Sequence, residues 1–104
     1  MPQLPAIRAT LTQLRSFEAV ARLGGVGRAA QALHLAQPTV STQLRELSQA
    51  VGLQLFAPRG RGLVLTEEGE LLLQTARALF TRWSEFGTTA IEAPLLHRAP
   101  SLMG

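Results

Sequence analysis

Residues 26–47 constrain the fold most, because their apolar residues follow two helical patterns separated by a short break. One face of a short helix is formed by apolar residues at positions i, i+3, i+4 and i+7: Val26, Ala29, Ala30 and Leu33. Pro38 then fits the first turn of a new helix, because backbone N–H groups there have no partner within the helix and proline has no N–H. The inward face of that helix recurs at three and four residues: Val40, Leu44, Leu47 and Val51. The pattern predicts two short helices joined by a tight turn.

Small and polar residues indicate a role for this helix pair. Ala29 and Ala30 allow a second helix to cross closely, and Val40 follows Ala30 at the ten-residue interval typical of DNA-binding helix pairs. The outer faces of the second helix carry side chains that can hydrogen-bond base edges and phosphates: Gln37, Thr39, Ser41, Thr42, Gln43 and Arg45. The same residues also fit a helical hairpin in an ordinary bundle, with solvated polar side chains. The interval favours DNA binding.

Composition limits the size of the domain and the type of partner. At 104 residues, of which 46% are hydrophobic, the chain has room for one domain with a small core. Its formal net charge is +3, and all ten basic residues are arginine. A net positive charge suits a polyanionic partner, and arginine makes bidentate contacts to guanine and phosphate.

The sequence shows no set of residues suited to catalysis or cofactor binding. It has no cysteine, which excludes disulfides and thiolate metal sites. His34 and His97 have no metal-ligand companion at helical or turn spacing. We therefore expect no enzyme, cofactor or metal site. The sequence also lacks a secretory signal pattern and any apolar run of about 18 residues, so we expect a cytoplasmic location and no membrane partner.

A leader and a first helix precede the helix pair. Residues 1–10 contain two prolines without periodicity and are predicted to be a flexible leader. Thr10 or Thr12 can serve as the N-cap of the following helix, and Gly24 with Gly25 can end it. This helix should form the back wall of the core through its apolar positions: Leu11, Leu14, Phe17, Val20, Ala21 and Leu23.

A β-hairpin is predicted after the helix pair. Residues 53–56 and 63–65 resemble short strands, and the six residues between them contain the proline and glycines of a turn. Arg59 and Arg61 at its tip can follow a phosphate backbone or reach the minor groove, the alternative being a solvated turn. Residues 11–66 are thus predicted to form a winged helix-turn-helix DNA-binding domain.

A long helix is predicted from residue 67 to residue 92, with Thr66 as its N-cap and Pro94 beyond its end. Intervals of four and three residues form the seam of a short coiled coil: Leu72, Ala76, Leu79, Trp83, Phe86 and Ala90. The largest aromatics lie far along this helix, where little domain remains to cover them. We therefore expect a dimerisation helix rather than one that packs only on its own domain, followed by an irregular tail over residues 93–104.

Several motifs resemble, in family order, the N-terminal domain of LysR-type transcriptional regulators: residues 14–17 (LRSF), 28–30 (RAA), 33–35 (LHL), 37–41 (QPTVS), 52–56 (GLQLF), 60–61 (GR) and 65–69 (LTEEG). Residues 17–22 and 35–41 also resemble the subgroup that regulates carbon-fixation operons. The resemblance implies a mainly α-helical fold with a three-helix core, a β-hairpin wing and a long linker helix. It also implies a homodimer on dyad-symmetric, double-stranded promoter DNA.

In that family the recognition helix enters the major groove and the wing touches the minor groove. The candidate DNA-binding residues are Arg28, Gln37, Pro38, Thr39, Ser41, Thr42, Gln43, Arg45, Arg59 and Arg61. Three positions depart from the family: Thr42 and Pro58, where arginine is frequent, and Ser48, where glutamate is frequent. If the groups usual at positions 48 and 58 form a pair, both are replaced here, which is less harmful than losing one. Arg59 would then supply the wing charge.

The family's effector-binding domain would follow the linker helix. Two explanations fit its absence here, namely a fragment or truncated product, or a stand-alone DNA-binding protein. No small-molecule effector site is expected on these residues. We predict a bacterial, dimeric, sequence-specific DNA-binding transcription regulator. The alternative is a winged-helix interaction module without DNA binding, which recruits a partner through its apolar seam.

Overall fold

Four helices and one antiparallel hairpin make up the described part of the chain, residues 8–97, in this computed structural model. In chain order they are α1 (Leu11–Leu23), α2 (Val26–Leu33), α3 (Gln37–Val51), β1 (Phe56–Arg59), β2 (Gly62–Leu65) and α4 (Glu67–His97). The predicted fold class is confirmed: a three-helix core, a hairpin wing and a long final helix. Residues 1–7 of the predicted leader and 98–104 of the predicted tail lie outside the described residues.

Thr10 is the N-cap of α1. Its hydroxyl accepts a hydrogen bond from the Gln13 N–H at 3.1 Å, and the Gln13 side-chain carbonyl accepts one from the Thr10 N–H at 3.1 Å. This capping box satisfies two donors at the helix start. Gly24 ends the helix in the left-handed conformation, with φ at +82°. Of the two predicted caps, Thr10 is therefore the one used, because it lies three residues before Gln13.

A three-residue turn joins α2 to α3. His34 adopts the left-handed conformation at φ 57°, and its N–H closes the end of α2 on the Gln31 carbonyl at 3.2 Å. The Leu35 N–H adds a second such bond, to the Ala30 carbonyl at 2.9 Å. Pro38 follows in the first turn of α3, as predicted. The exposed His34 thus belongs to the turn that sets the angle between the two helices.

Small side chains allow the first three helices to pack closely. Ala29 and Val40 have no exposed surface and share a core cluster with Ala30, Ala19 and Val20. This confirms the close crossing predicted for the helix pair. A second cluster connects α1, α3 and the start of α4: Leu14, Phe17, Leu47, Leu55, Leu73 and Ala76.

The wing begins three residues later than predicted, at residue 56 rather than residue 53. Its strands pair along their whole length, so the turn contains two residues, Gly60 and Arg61, and not six. Before residue 56 the chain makes other contacts: the Leu53 N–H bonds the Ser48 carbonyl at the end of α3, and Leu55 is buried in the core. Gly60 has φ +60°, the sign required at the first position of a type II′ hairpin turn.

Helix α4 runs past Pro94 to His97, whereas the sequence predicted an end at Glu92 and an irregular tail from residue 93. A proline removes one backbone hydrogen bond and crowds the carbonyl four residues before it, but the helical bonds on either side can persist. Proline was therefore the wrong boundary signal for this helix.

Residues 53–55, here called the strap, cross the first turn of α4. Thr66 caps α4 by accepting a hydrogen bond from the Gly69 N–H at 2.9 Å, and its hydroxyl donates to the Gln54 carbonyl at 2.6 Å. The Thr66 N–H also bonds the Leu55 carbonyl at 3.0 Å. Gly69 lies so close to that carbonyl that no side chain fits between them. This crossing sets the direction in which both the wing and α4 leave the core.

Gly69→Ala is expected to destabilise the domain by about 1–3 kcal/mol, because the added Cβ overlaps the Leu55 carbonyl oxygen and lies 2.9 Å from Leu65 Cδ2. Chemical unfolding measures the change. Gly87→Ala in the same helix is the matched control, since its Cβ meets nothing within 4 Å. It should stabilise the domain by about 0.5–1 kcal/mol. Equal stabilisation by both substitutions would contradict the close crossing at Gly69.

Candidate nucleic-acid interface

Helix α3 has a buried face that fixes the orientation of its polar face. Val40 and Leu47 have no exposed surface, and Leu44 and Val51 pack around them. The remaining sides carry the seven predicted DNA-binding residues of this helix, which are exposed or half-buried: Gln37, Pro38, Thr39, Ser41, Thr42, Gln43 and Arg45. The predicted division of α3 into an inner and an outer face is confirmed.

Hydrogen bonds order part of this polar face. The Arg45 guanidinium donates to Thr42 Oγ1 at 3.4 Å, within one helical turn. The buried Ser16 hydroxyl of α1 donates to Gln43 Oε1. A shallow depression runs beside these groups, lined by Pro38, Thr39, Thr42, Gln43 and Glu46.

The wing lies against the helical core. Leu63 of β2 is partly buried on the cluster shared by α1, α2 and α3. The ring centroid of Phe56 in β1 lies 5.4 Å from that of Phe17 in α1. Arg59 at the end of β1 and Arg61 in the turn are both exposed. The wing therefore holds two guanidinium groups on the same core that positions α3.

Four of the predicted DNA-binding residues are exposed arginines: Arg28, Arg45, Arg59 and Arg61. Among residues 8–90, whose side chains the structure describes, the ion pairs involve other arginines, joining Arg22 to Glu18 at 2.9 Å and Arg82 to Glu85 at 3.3 Å. Hydrogen bonding to Glu18 raises the pKa of the Arg22 guanidinium above its usual value. The exposed arginines of α2, α3 and the wing thus present positive charge that no ion pair among these described residues neutralises.

The apolar stripe of α4 is covered by the domain along its first half only. Ala76 has no exposed surface and Leu72 is partly buried, because the start of α4 packs on the core of α1 and α3. These two members of the predicted dimer seam therefore pack, at least in part, against their own domain. The rings of Trp83 and Phe86 lie 5.5 Å apart between centroids. The exposed remainder of the seam is Leu79, Trp83, Phe86 and Ala90.

Two residues that the sequence did not single out belong to the interface region. Ser16 is 1% exposed and bonds Gln43, while Glu46 accepts a hydrogen bond from the Gln13 side chain at 3.4 Å. A serine beside Phe17 in an amphipathic helix is the only sequence signal for the first of these contacts. That signal does not distinguish a buried serine from a solvated one.

Residues 8–90, whose side chains the structure describes, contain no group of three or more histidine, aspartate or glutamate side chains placed to hold one metal ion. None of the described helices combines the length and the apolar character needed to cross a membrane.

A three-helix core with an exposed polar helix and a basic hairpin defines a winged helix-turn-helix DNA-binding domain. Residues 11–70 match the family model described as the bacterial regulatory helix-turn-helix protein, lysR family. The chain therefore belongs to the LysR family, as its motifs predicted.

Named relatives and solved structures agree with this assignment. A RuBisCO operon transcriptional regulator of Allochromatium vinosum is 50% identical over 70 residues, which are 67% of this chain and 23% of that protein. The chain thus spans less than a quarter of the length of this curated relative. The DNA-binding domain of BenM in complex with catB site 1 DNA superposes with a TM-score of 0.78 at 30% identity, covering 81% of this chain and 93% of that one. The CbnR DNA-binding domain in complex with DNA superposes with a TM-score of 0.76 at 32% identity, covering 81% of this chain and 97% of that one.

Proposed function

We propose that this chain binds double-stranded promoter DNA sequence-specifically as a homodimer and so places a transcription regulator at its operator. The observation that carries the proposal is the arrangement of two exposed elements on one core, the polar face of α3 and a wing with Arg59 and Arg61. The solved DNA complexes of two related domains support this use of the fold. The proposed activity is binding and not catalysis.

In this proposal, the N-terminal half of α3 enters the major groove, which admits a helix and presents a distinct donor and acceptor pattern for each base pair. Gln37 and Ser41 lie four residues apart, so their side chains share one face of the helix and reach the same groove. Pro38 and Thr39 offer apolar groups to thymine methyls at the exposed start of the helix. Arg28 contributes to phosphate binding at the edge of the groove.

The wing supplies charge beside the recognition helix. Arg59 and Arg61 neutralise phosphates or enter a narrow minor groove, where negative potential is concentrated. Each neutralised phosphate releases counterions, which ties the affinity to the salt concentration. With Pro58 at a position where the family frequently has arginine, Arg59 provides the positive charge of β1.

Dimerisation through the second half of α4 completes the proposal. Leu79, Trp83 and Phe86 are 43%, 63% and 60% exposed. A group of exposed large apolar side chains marks an interaction site, because such side chains are more often buried. Their intervals of four and three residues place them on one side of the helix, in register for a second copy of α4. Two copies would present two recognition helices to a dyad-symmetric site.

The biological setting is proposed from the relatives. The likeness to a RuBisCO operon regulator supports a carbon-fixation operon as the target. A promoter-binding role in a bacterium requires a cytoplasmic location. That no effector site lies on these residues stays a prediction.

Arg61→Ala is expected to weaken binding to every duplex and to lower the salt slope of log K by about 1, because one phosphate contact is lost. The thermal midpoint should not change, since the side chain is exposed. Arg77→Ala, which removes an exposed charge from α4, is the matched control and should bind like the wild type. Fluorescence anisotropy at two salt concentrations, with palindromic and scrambled duplexes, measures both quantities. Absent or salt-insensitive binding would instead support the interaction module.

Gln37→Ala and Ser41→Ala are each expected to reduce discrimination between the preferred duplex and a single-base variant by about 1–3 kcal/mol, if each side chain contacts a base edge. The preferred duplex is selected from a randomised pool, and its variants are titrated one by one. Gln49→Ala is the control on the same helix, because Gln49 is exposed near the other end of α3. Unchanged discrimination in both test variants would refute the assignment of α3 contacts.

Replacing Leu79 and Phe86 together by Glu is expected to leave a folded monomer. In a dimer, each substitution would bury an unpaired carboxylate between the two α4 helices, which is unfavourable. Sedimentation of the purified protein measures the mass, and circular dichroism measures the helix content. Thr81→Glu with Thr88→Glu is the matched control, since these exposed residues lie on the opposite side of α4. A wild-type monomer at high concentration would count against the seam.

A further inference from the structure

Ser16 is a buried polar residue of α1. It is 1% exposed, and its neighbour Phe17 is fully buried. A buried hydroxyl needs a hydrogen-bond partner, since an unpaired one carries the full cost of desolvation. The partner is Gln43 of α3, which is 27 residues away in the sequence. A core residue of α1 is therefore bonded directly to a side chain of the recognition helix.

This bond orients the amide group of Gln43. Ser16 Oγ donates to Oε1, so the amide oxygen is directed towards α1. The amide oxygen and nitrogen diverge from the same planar carbon, which leaves Nε2 directed away from the oxygen's partner. Gln43 is half-buried and also lines the shallow depression on the open side of α3. The group that it offers to a ligand in that depression is a hydrogen-bond donor.

We propose that Ser16 is a positioning residue that determines which base Gln43 recognises. By holding Oε1 towards α1, Ser16 leaves Nε2 to contact an acceptor in the major groove, namely guanine O6 or N7 or thymine O4. Recognition of adenine by glutamine requires the amide oxygen and nitrogen together, to pair with N6 and N7. A Gln43 whose oxygen is directed towards α1 is not oriented for that two-point contact. The inference rests on the proposed DNA binding of α3.

The proposal differs from a purely structural role of Ser16 in one measurable way. A structural role would change stability and would weaken binding to all duplexes alike. A positioning role changes the base preference at one operator position, and only while Gln43 is present. The base preference is therefore the quantity to measure, with stability recorded beside it.

The experiment selects duplexes from a randomised pool with the wild type and with Ser16→Ala, Gln43→Ala and the double variant. Single-base variants of the selected duplex are then titrated by fluorescence anisotropy. At one position the wild type should prefer a guanine or thymine acceptor over adenine, and Ser16→Ala should reduce that preference about fivefold, the loss of one contact's discrimination. Gln43→Ala should abolish the preference, and adding Ser16→Ala to it should change the preference no further.

Two further variants sharpen the test. Gln43→Glu keeps an oxygen for the Ser16 hydroxyl but replaces the donor, so the preference should move towards cytosine, whose N4 group is a donor. This variant also tests the inference should Ser16→Ala fail to fold. Ser48→Ala is the matched control, because the Ser48 hydroxyl of α3 donates to the backbone carbonyl of Leu53 and not to a base-facing side chain. Its base preferences should equal those of the wild type.

The outcomes separate this inference from the proposed function. Identical base profiles for the wild type and a folded Ser16→Ala variant would overturn the inference while leaving DNA binding intact. A Gln43→Glu variant with the wild-type preference would overturn it as well. If the wild-type chain enriches no sequence at all, the proposed function fails, and the inference fails with it.

Discussion

The close crossing of α2 and α3 is the packing constraint on which the proposed interface depends. Ala29 and Val40 are completely buried where these helices meet, and Ala30 is 5% exposed. A larger side chain at either alanine would force the helices apart, and interiors at crystal-like density accommodate such additions poorly. Since Val40 lies between the polar residues Thr39 and Ser41, a shift of this contact would also move the polar face of α3. The orientation of the recognition helix is therefore set by residues that cannot themselves contact DNA.

A second crossing connects this core to the wing and to α4. The strap, residues 53–55, runs over the first turn of α4 at Gly69, and the Thr66 hydroxyl bonds both elements. The wing starts immediately after the strap, and α4 starts immediately after the wing. One short segment consequently fixes the positions of the two wing arginines and of the exposed aromatics. In the proposed complex, the strap therefore connects the elements that contact the two DNA grooves to the helix that sets the spacing between the two subunits.

Local patterns predicted the elements and the inner faces of the helices well. Burial that recurs every three or four residues is visible in the sequence, and so are a threonine cap and a glycine in the left-handed conformation. The same approach failed where the outcome depends on distant contacts. It placed the first wing strand over the strap, because Leu53 and Leu55 look like strand residues. It also did not show that Ala76 is buried against its own domain, because a heptad pattern does not show where the domain stops covering a helix.

The sequence by itself determined that the chain forms a helix-turn-helix with a basic hairpin and a long helix, and that it belongs to the LysR family. Those properties follow from residue types at short, regular intervals. The tertiary structure alone decided that the wing begins after a buried strap, that only the second half of the α4 stripe is exposed, and that Ser16 orients Gln43. Each depends on contacts between residues far apart in the chain, such as the 27-residue separation of Ser16 and Gln43. Periodicity shows which side of a helix is buried, but not which neighbour buries it.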